Sequence, residues 1–395
     1  MTQTIETSTL TFRLGKSSRW LIYLVGIFPL GGLLAWAVCV PSQFTDHLPY
    51  ALLGGGGCAI FAWLTFGLAK RRIEIDSAEI RQVGPFNTKA LLIESIEGFK
   101  IVQSKYTRIL TLVTKDSHVK KMRIELALER QAEFLDWMER NLTNLDKVEY
   151  DRELMEIAQL SNFGDTPEER AAAYQQAKKW SRIINGASTA CVLWAFFVPR
   201  PYEAAILSLL ILPIIGLLFL NRFDGIAKFN AKPKSAHPGV DVAILLPTIM
   251  LSLRALIDWH VLEWRNFWTL FAAVSIGHLI ISGLLVPDIR KALGKLFLCA
   301  IFSAAYGYGT VIVLNGMLAD SPWNTCHAKV IGKHMTTGKN TTYYLTLAPW
   351  KDKVGEGGAG DATVSSSVYN QYETGNTASI MVRSGKFGIP YYFVH

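Results

Sequence analysis

Apolar and polar residues fall in long blocks along the chain, and the period inside each block differs from its neighbours. Trp20 to Val40 holds no charged residue and has about the 20-residue length that spans a bilayer. Pro49 to Ala69 is a second charge-free run, closed by Lys70, Arg71 and Arg72. After a polar stretch, apolar runs resume at Ile183–Val198, Ala204–Leu220, Val240–Ile257, Phe267–Val286 and Leu296–Leu318. Val198-Pro199-Arg200-Pro201 separates the first two of these, and Asp241 and Arg254 interrupt the third. The pattern predicts seven membrane helices.

Charge in the connecting loops gives an orientation. Basic residues precede the first run (Arg13, Lys16, Arg19) and cluster at 70–72, at Lys178, Lys179 and Arg182, at Arg222, Lys228, Lys232 and Lys234, and at Arg290, Lys291 and Lys295. The 41–48 loop has no Lys or Arg, and the 199–203 loop has only Arg200. Cytoplasmic loops carry the excess of Lys and Arg, so seven crossings put the N-terminus inside and the C-terminus outside.

The polar stretches change period. Ile73 and Ile75 alternate with Glu74 and Asp76, Phe99 and Ile101 with Gly98 and Lys100, and Met122, Ile124 and Leu126 with Arg123 and Glu125. Leu110 and Leu112 flank Thr111, and Gly84-Pro85 and Lys115-Asp116-Ser117 read as turns. Period two predicts about six strands with one buried face. Leu128, Ala132, Leu135, Met138 and Leu142 then recur every three or four residues, which predicts an amphipathic helix. Residues 146–182 read as a polar helical linker, in which Thr166-Pro167-Glu168-Glu169, a capping box with proline in the first turn, starts a helix over 167–182 that runs into the third membrane helix. A partner-docking helix is the other reading of that stretch. In the C-terminal stretch, Cys326–His334, Thr341–Ala348, Ala362–Ser365, Ala378–Val382 and Tyr391–Val394 read as strands, with hairpin turns at 337–340 and 384–388.

Arg72-Ile73-Glu74-Ile75-Asp76, the Ile93-Glu94-Ser95-Ile96-Glu97 lead into a long hairpin, and a terminal helix with Phe134 and Trp137 resemble the bacterial pleckstrin-homology-like (PH-like) domain attached to membrane helices. The resemblance covers about a fifth of the chain and rests on burial patterns. It implies a PH-like fold and a binding or assembly role, and it carries over no functional residue. Gly332-Lys333-His334, Tyr343 to Trp350 and Gly385 to Tyr392 resemble the short extracytoplasmic tails of multi-pass bacterial membrane proteins, which implies no activity.

Composition narrows the reading. The 395 residues are 50% hydrophobic and 18% charged, with a mean hydropathy of +0.23. That balance excludes a disordered chain and argues against one large soluble globule. Lys and Arg number 40 against 32 Asp and Glu, a formal charge of +8. Basic loops account for such an excess in a membrane chain. No aromatic stripe of the kind that stacks bases accompanies it, so nucleic acid is not an expected partner.

Candidate chemistry is sparse. His278 is the one ionisable residue near the middle of a strong apolar run, a functional suspect because a buried charge there is costly. A neutral histidine bonded to a neighbouring helix is the alternative. Asp258, His260 and Glu263 carry zinc-ligand side chains, but their i, i+2, i+5 spacing does not share one helical face. Trp259, Trp264 and Trp268 flank them as an interfacial belt. Lys100, Lys105, Arg108, Lys120, Lys121 and Arg123 fall on neighbouring strands and are candidates for anionic-lipid contact, or else a solvated sheet face. Gly355 to Gly360 matches G-x-G-x-x-G, but it lies between strands rather than opening a helix. Gly54 to Gly57 read as close helix packing or a helix break. Of the cysteines, Cys58, Cys191 and Cys299 fall in apolar runs and Cys39 near an outer end, while Cys326 is alone in the C-terminal stretch. No paired spacing supports a redox or zinc-ribbon motif, and a Cys39–Cys326 bond is compatible with the orientation.

The expected protein is therefore a polytopic α-helical membrane protein of about seven helices, with a cytosolic PH-like α+β domain and a small extracytoplasmic all-β domain. Its expected divisions are a tail over 1–19, two membrane helices over 20–69, the PH-like domain over 70–145, the linker over 146–182, five membrane helices over 183–318 and the β-domain over 319–395. The expected role is non-enzymatic binding, scaffolding or sensing in the bacterial cytoplasmic membrane, with no cofactor and no metal. The expected partners are the bilayer, other proteins or a second copy, and anionic lipid. Small-molecule or lipid transport and an enzyme at the outer interface are the alternatives.

Overall fold

The computed structural model describes residues 9–16, 18–20, 59–60, 63, 65–67, 70–84, 87–103, 107–116, 121–291, 293–337, 341–351 and 354–395. The chain divides into two compact units, Met1–Arg152 and Glu153–His395. Most of the two N-terminal apolar runs, with Gly54 to Gly57, Cys39 and Cys58, lies outside the described residues.

The first unit is built from strands β1 (Leu10–Arg13), β2 (Arg72–Ile75), β3 (Glu79–Val83), β4 (Thr88–Leu92), β5 (Ile96–Gln103), β6 (Arg108–Thr114) and β7 (Met122–Glu125), followed by helix α1 (Gln131–Asn141). Two antiparallel sheets form, one in the order β1-β2-β3-β4 and one in the order β5-β6-β7. The period-two residues face inward as their spacing requires: Ile73, Ile75, Ile80, Leu110, Leu112, Met122 and Ile124 are all buried. Phe134 and Met138 close this core from α1. Gly98 is needed in β5 because the Thr143 carbonyl approaches it closely while accepting the Phe99 N–H at 2.9 Å.

Strand β1 was not expected, since four apolar-alternating residues before a long apolar run read as a tail. Its Phe12 is 1% exposed and meets Phe134 edge-on at 5.1 Å. Arg13 pairs with Arg72 in the β1–β2 register, so the chain on either side of residues 20–69 belongs to one sheet.

Helix α2 (Leu145–Ala158) contains the division between the units. In the second unit, α3 (Pro167–Phe197) starts at the expected capping box, with Thr166 accepting from the Glu169 N–H. It buries Tyr174, Ser181, Ser188 and Ala195, one residue every two turns, along one stripe. Then follow α4 (Tyr202–Arg222), α5 (Asp241–Asp258), the two-residue strand β8 (His260–Val261), α6 (Phe267–Leu285), the single turn α7 (Pro287–Arg290) and α8 (Leu293–Met317). Small residues set the packing distances in this bundle. A Cβ at Gly307 would overlap Ser275 of α6, and one at Gly309 would lie 2.8 Å from the Leu251 side chain of α5.

The chain ends in β9 (Asn324–Thr337), β10 (Thr341–Leu347), β11 (Trp350–Lys351), β12 (Glu356–Gly357), β13 (Gly360–Val364), helix α9 (Ser366–Gln371), β14 (Thr377–Ser384) and β15 (Pro390–Val394). The six-stranded sheet has the order β13-β10-β9-β14-β15-β8. Long β9 pairs with β14 through residues 324–329 and with β10 through 330–337, which curls the sheet around Val330, Leu345, Ala378, Ile380 and Val382. The His260 ring at one edge is hydrogen-bonded to the backbone of Thr363 at the other edge.

The expectation of a seven-span helical membrane protein is overturned. Among the described residues three helices, α4, α6 and α8, are long and apolar enough to cross a membrane. Helix α5 carries Asp241, Arg254 and Asp258, too many charges for its length. The apolar run at 183–198 is only the end of the 31-residue α3, whose first half is polar. Strands make up much of the rest, including one taken from between two helices. The C-terminal sheet is not an all-β domain by itself, since it contains α9 and uses β8 from the connection between α5 and α6.

Candidate functional site

Three groups of polar residues in the second unit are built well enough to carry chemistry or binding. The first joins the bundle to the sheet. Asp258 at the end of α5 accepts a hydrogen bond from the Tyr202 hydroxyl at 2.8 Å and pairs with Arg254 at 3.0 Å. Trp259 donates to the Tyr202 hydroxyl at 3.2 Å and meets Tyr391 of β15 edge-on at 4.9 Å. The same indole fills the space over Gly316, where any Cβ would overlap it. Next in the chain, His260 lies opposite Tyr392 in the β8–β15 register, and Leu262 donates to the Pro390 carbonyl at 2.8 Å.

The deepest link is Asn315, in the last turn of α8 and 2% exposed. Its Nδ2 donates to the Ile389 carbonyl at 2.9 Å, and its Oδ1 accepts from the Phe387 N–H at 3.0 Å. Its own carbonyl accepts from the Lys386 N–H at 2.9 Å. Gly385 leaves the room this approach needs. The Ser384-to-Gly388 turn is thereby fixed to the end of an apolar helix. Sequence reading identified that turn but not its anchor, because a lone Asn near a helix end gives no signal of its partner.

Asp258, His260 and Glu263, the candidate metal ligands, are drawn apart by these bonds. Asp258 faces Tyr202 and Arg254, His260 sits in the sheet, and Glu263 is exposed. Among the described residues no group of three His, Cys, Asp or Glu side chains could hold a metal ion. Burial is the main influence on His260 and pushes its pKa below the ordinary value. Cys191 and Cys299 are free thiols. In the 355–360 stretch, Gly357 packs flat against the Trp350 ring, which explains its lack of a side chain without invoking a nucleotide.

The second group lies between α6 and α8. His278 is 6% exposed, shares a hydrogen bond with Ser303 through Nδ1 at 2.9 Å, and stacks on Tyr306 with ring centroids 4.5 Å apart. Tyr306 in turn donates to the Leu210 carbonyl of α4 at 3.0 Å. His278 Nε2 and Ser275 Oγ are buried with no hydrogen-bond partner among the described residues. Ser275, His278 and Ser282 recur at i, i+3 and i+7 and line one face of α6.

The third group is at the opposite end of the bundle, where the connection between α4 and α5 folds back on α2 and α3. Glu153 accepts from the Ser235 hydroxyl and the Ala236 N–H, both at 2.7 Å. Tyr174 donates to the Ala236 carbonyl at 2.9 Å, while Ser181 and Asn185 both donate to the Gly239 carbonyl. His237 is bonded through Nδ1 to the Ile226 carbonyl at 2.8 Å. Burial lowers the His237 pKa, and Lys228 adds to the effect, against the Ile226 carbonyl and Glu153. Burial alone would raise the Glu153 carboxyl. The two hydrogen bonds, His237 and Lys228 outweigh it, and the net shift is downward.

The basic candidates in the first unit do not converge. Lys100 is paired with Glu149 at 2.8 Å. Lys121 lies with Lys100 at a shallow groove, whereas Arg123 lies with Arg71 and Arg72 at another. Arg108 is exposed on β6, and Lys105 and Lys120 lie outside the described residues. No family model, no curated protein and no solved structure matches the chain.

Proposed function

We propose that the chain is a multi-pass protein of the bacterial cytoplasmic membrane that works as a non-enzymatic binding or scaffold protein. The observation that carries this reading is the anchored sheet. Strand β8 and Asn315 tie the C-terminal sheet into the apolar bundle at two separate points, so a partner held by the sheet is mechanically coupled to the helices. Nothing in that junction resembles a reaction centre: its polar groups are consumed by one another. Charge supports the orientation. Arg222, Lys228, Lys232, Lys234, Arg290, Lys291 and Lys295 lie in the connections, or in the helix turns next to them, at the end of the bundle away from the sheet, the pattern of a cytoplasmic face. The first unit, with four strands, three strands and a closing helix, is read as a PH-like binding module.

The test is affinity isolation of the tagged full-length protein from native membranes at native expression, with mass spectrometry of what accompanies it. A stoichiometric protein partner, lost on Asn315→Ala, is the expected result. A pure protein that carries a small molecule and no partner would overturn the scaffold reading. It would favour the second one, transport along the α6–α8 seam, for which the unpartnered Nε2 of His278 speaks. Loss of that cargo in His278→Ala would then be decisive.

A further inference from the structure

We infer that a groove between α6 and α8 is a specific site for one acyl chain of an acidic phospholipid; the inference rests on the membrane reading above. The groove has a volume of about 550 Å³, within the range of about 300–1,000 Å³ typical of ligand sites. Trp264, Trp268 and Phe271 form one wall, Ala304, Ala305 and Tyr308 of α8 form the other, and Ser252 of α5 completes the lining. Its one hydroxyl from a small side chain is already spent, since Ser252 donates to the Ala305 carbonyl at 2.7 Å. A polar ligand would find that donor occupied, while a methylene chain asks for none.

The depth of the groove and its rim choose the occupant. Apart from Trp264, both walls belong to helices apolar enough to cross a bilayer. The aromatic rim follows the preference of Trp and Tyr for the level of the headgroups, so the groove runs inward from there. Trp268 is 61% exposed and Trp264 40% exposed, with Trp264 stacked parallel to Tyr308 at 6.5 Å. Alanines at 304 and 305 leave open space that a larger side chain there would fill. Arg265, exposed and next to the lining residue Trp264 in the chain, is the basic residue assigned here to the headgroup phosphate. In hydrocarbon, burying a chain brings no hydrophobic gain, so retention comes from packing and selectivity from the arginine. One basic side chain at a membrane surface gives about fivefold preference for an acidic headgroup.

The experiment places the full-length protein in nanodiscs of equal parts phosphatidylglycerol and phosphatidylcholine and counts retained lipid by native mass spectrometry. The expected result is one retained phosphatidylglycerol, favoured about fivefold over phosphatidylcholine. Ala304→Trp is expected to lower retention about tenfold. Arg265→Gln is expected to keep a lipid but lose the preference, and Ile280→Trp on the outward face of α6 to change neither. Should Ala304→Trp not fold, Trp268→Ala, which removes an exposed wall, must lower retention instead. Undiminished retention in a folded Ala304→Trp or Trp268→Ala protein overturns the inference, as does wild-type retention without headgroup preference. Alkaline carbonate washing separates the two levels: release of the wild-type protein from native membranes refutes the membrane reading itself, whereas firm retention with no bound lipid refutes only the groove.

Discussion

Replacing Asn315 by Ala removes the amide that holds the Ser384-to-Gly388 turn. Two buried backbone groups lose their partners, the Phe387 N–H and the Ile389 carbonyl. An unsatisfied buried group costs about 1–3 kcal/mol. Two groups together span about 2–6 kcal/mol; Ile389 is fully buried and Phe387 only half-buried, so the lower part applies, about 2–4 kcal/mol. At tenfold per 1.4 kcal/mol, the turn opens about 30- to 700-fold more often. Lys386 lies inside the turn with an exposed side chain, bonded to Asp320 at 2.7 Å. Trypsin cleavage after Lys386 therefore reads the open population when opening and closing are fast. In Asn315→Ala the cleavage rate should rise by that factor, with rates in the first unit unchanged. Asn315→Asp keeps an acceptor for Phe387 but sets a buried carboxylate oxygen against the Ile389 carbonyl, and should open at least as often as Asn315→Ala. A rate after Lys386 within about twofold of wild type would refute the argument that this side chain anchors the sheet.

Other substitutions and conditions follow from the same geometry. Gly316→Val pushes into the Trp259 ring and should destabilise the junction by about 1–3 kcal/mol, read as a lower midpoint in thermal unfolding of the detergent-solubilised protein. His278→Phe together with Ser303→Ala removes both members of the buried pair while keeping a ring on Tyr306, and should leave stability within about 1 kcal/mol of wild type; a large loss would mean that the seam binds something through Nε2. Lys100→Ala should cost less than about 1 kcal/mol, because its pair with Glu149 is part-exposed, and a double-mutant cycle checks this. Acid should loosen the hold of Glu153 and His237 on the connection between α4 and α5 in two stages. The pKa of His237 is lowered in the folded protein, so its contribution is present above 6.5 and drains away as pH falls below it. The pKa of Glu153 is also lowered, so its share holds above 4.5 and is lost below. Hydrogen exchange at residues 226–239 against pH checks the order, and His237→Gln should remove the first stage alone.

How much could be read from the chain depended on whether a signal was local. The period-two runs and the α1 stripe gave the core of the first unit, since Ile73, Ile75, Leu110, Leu112 and Met138 face inward by spacing alone. The Thr166 capping box marked the start of α3 to the residue. Strand β1 and strand β8 were invisible, because four and two residues carry no usable period and each is defined by a partner at least 59 positions away (Arg13–Arg72 for β1). Hydropathy overcounted spans for a related reason: a run such as 183–198 looks like a crossing until it proves to be the end of a longer, half-polar helix. At the candidate sites, side-chain type suggested metal at Asp258 and His260, but the bonds to Tyr202, Arg254 and Thr363 that divert them lie far off in sequence. His278 was legible as an oddity, and its partner Ser303 was not.

The coupling of sheet to helices is the centre of the account, and hydrogen-exchange mass spectrometry of the full-length protein in nanodiscs tests it most directly. The amides of Leu262, Lys386 and Phe387 and that of Leu318 at the end of α8 all donate within or beside the junction. They should exchange with one common opening free energy and accelerate together in Asn315→Ala. If the β14–β15 turn exchanges rapidly while the end of α8 stays protected, and the variant changes neither, the sheet is a loosely tethered appendage and the account is wrong.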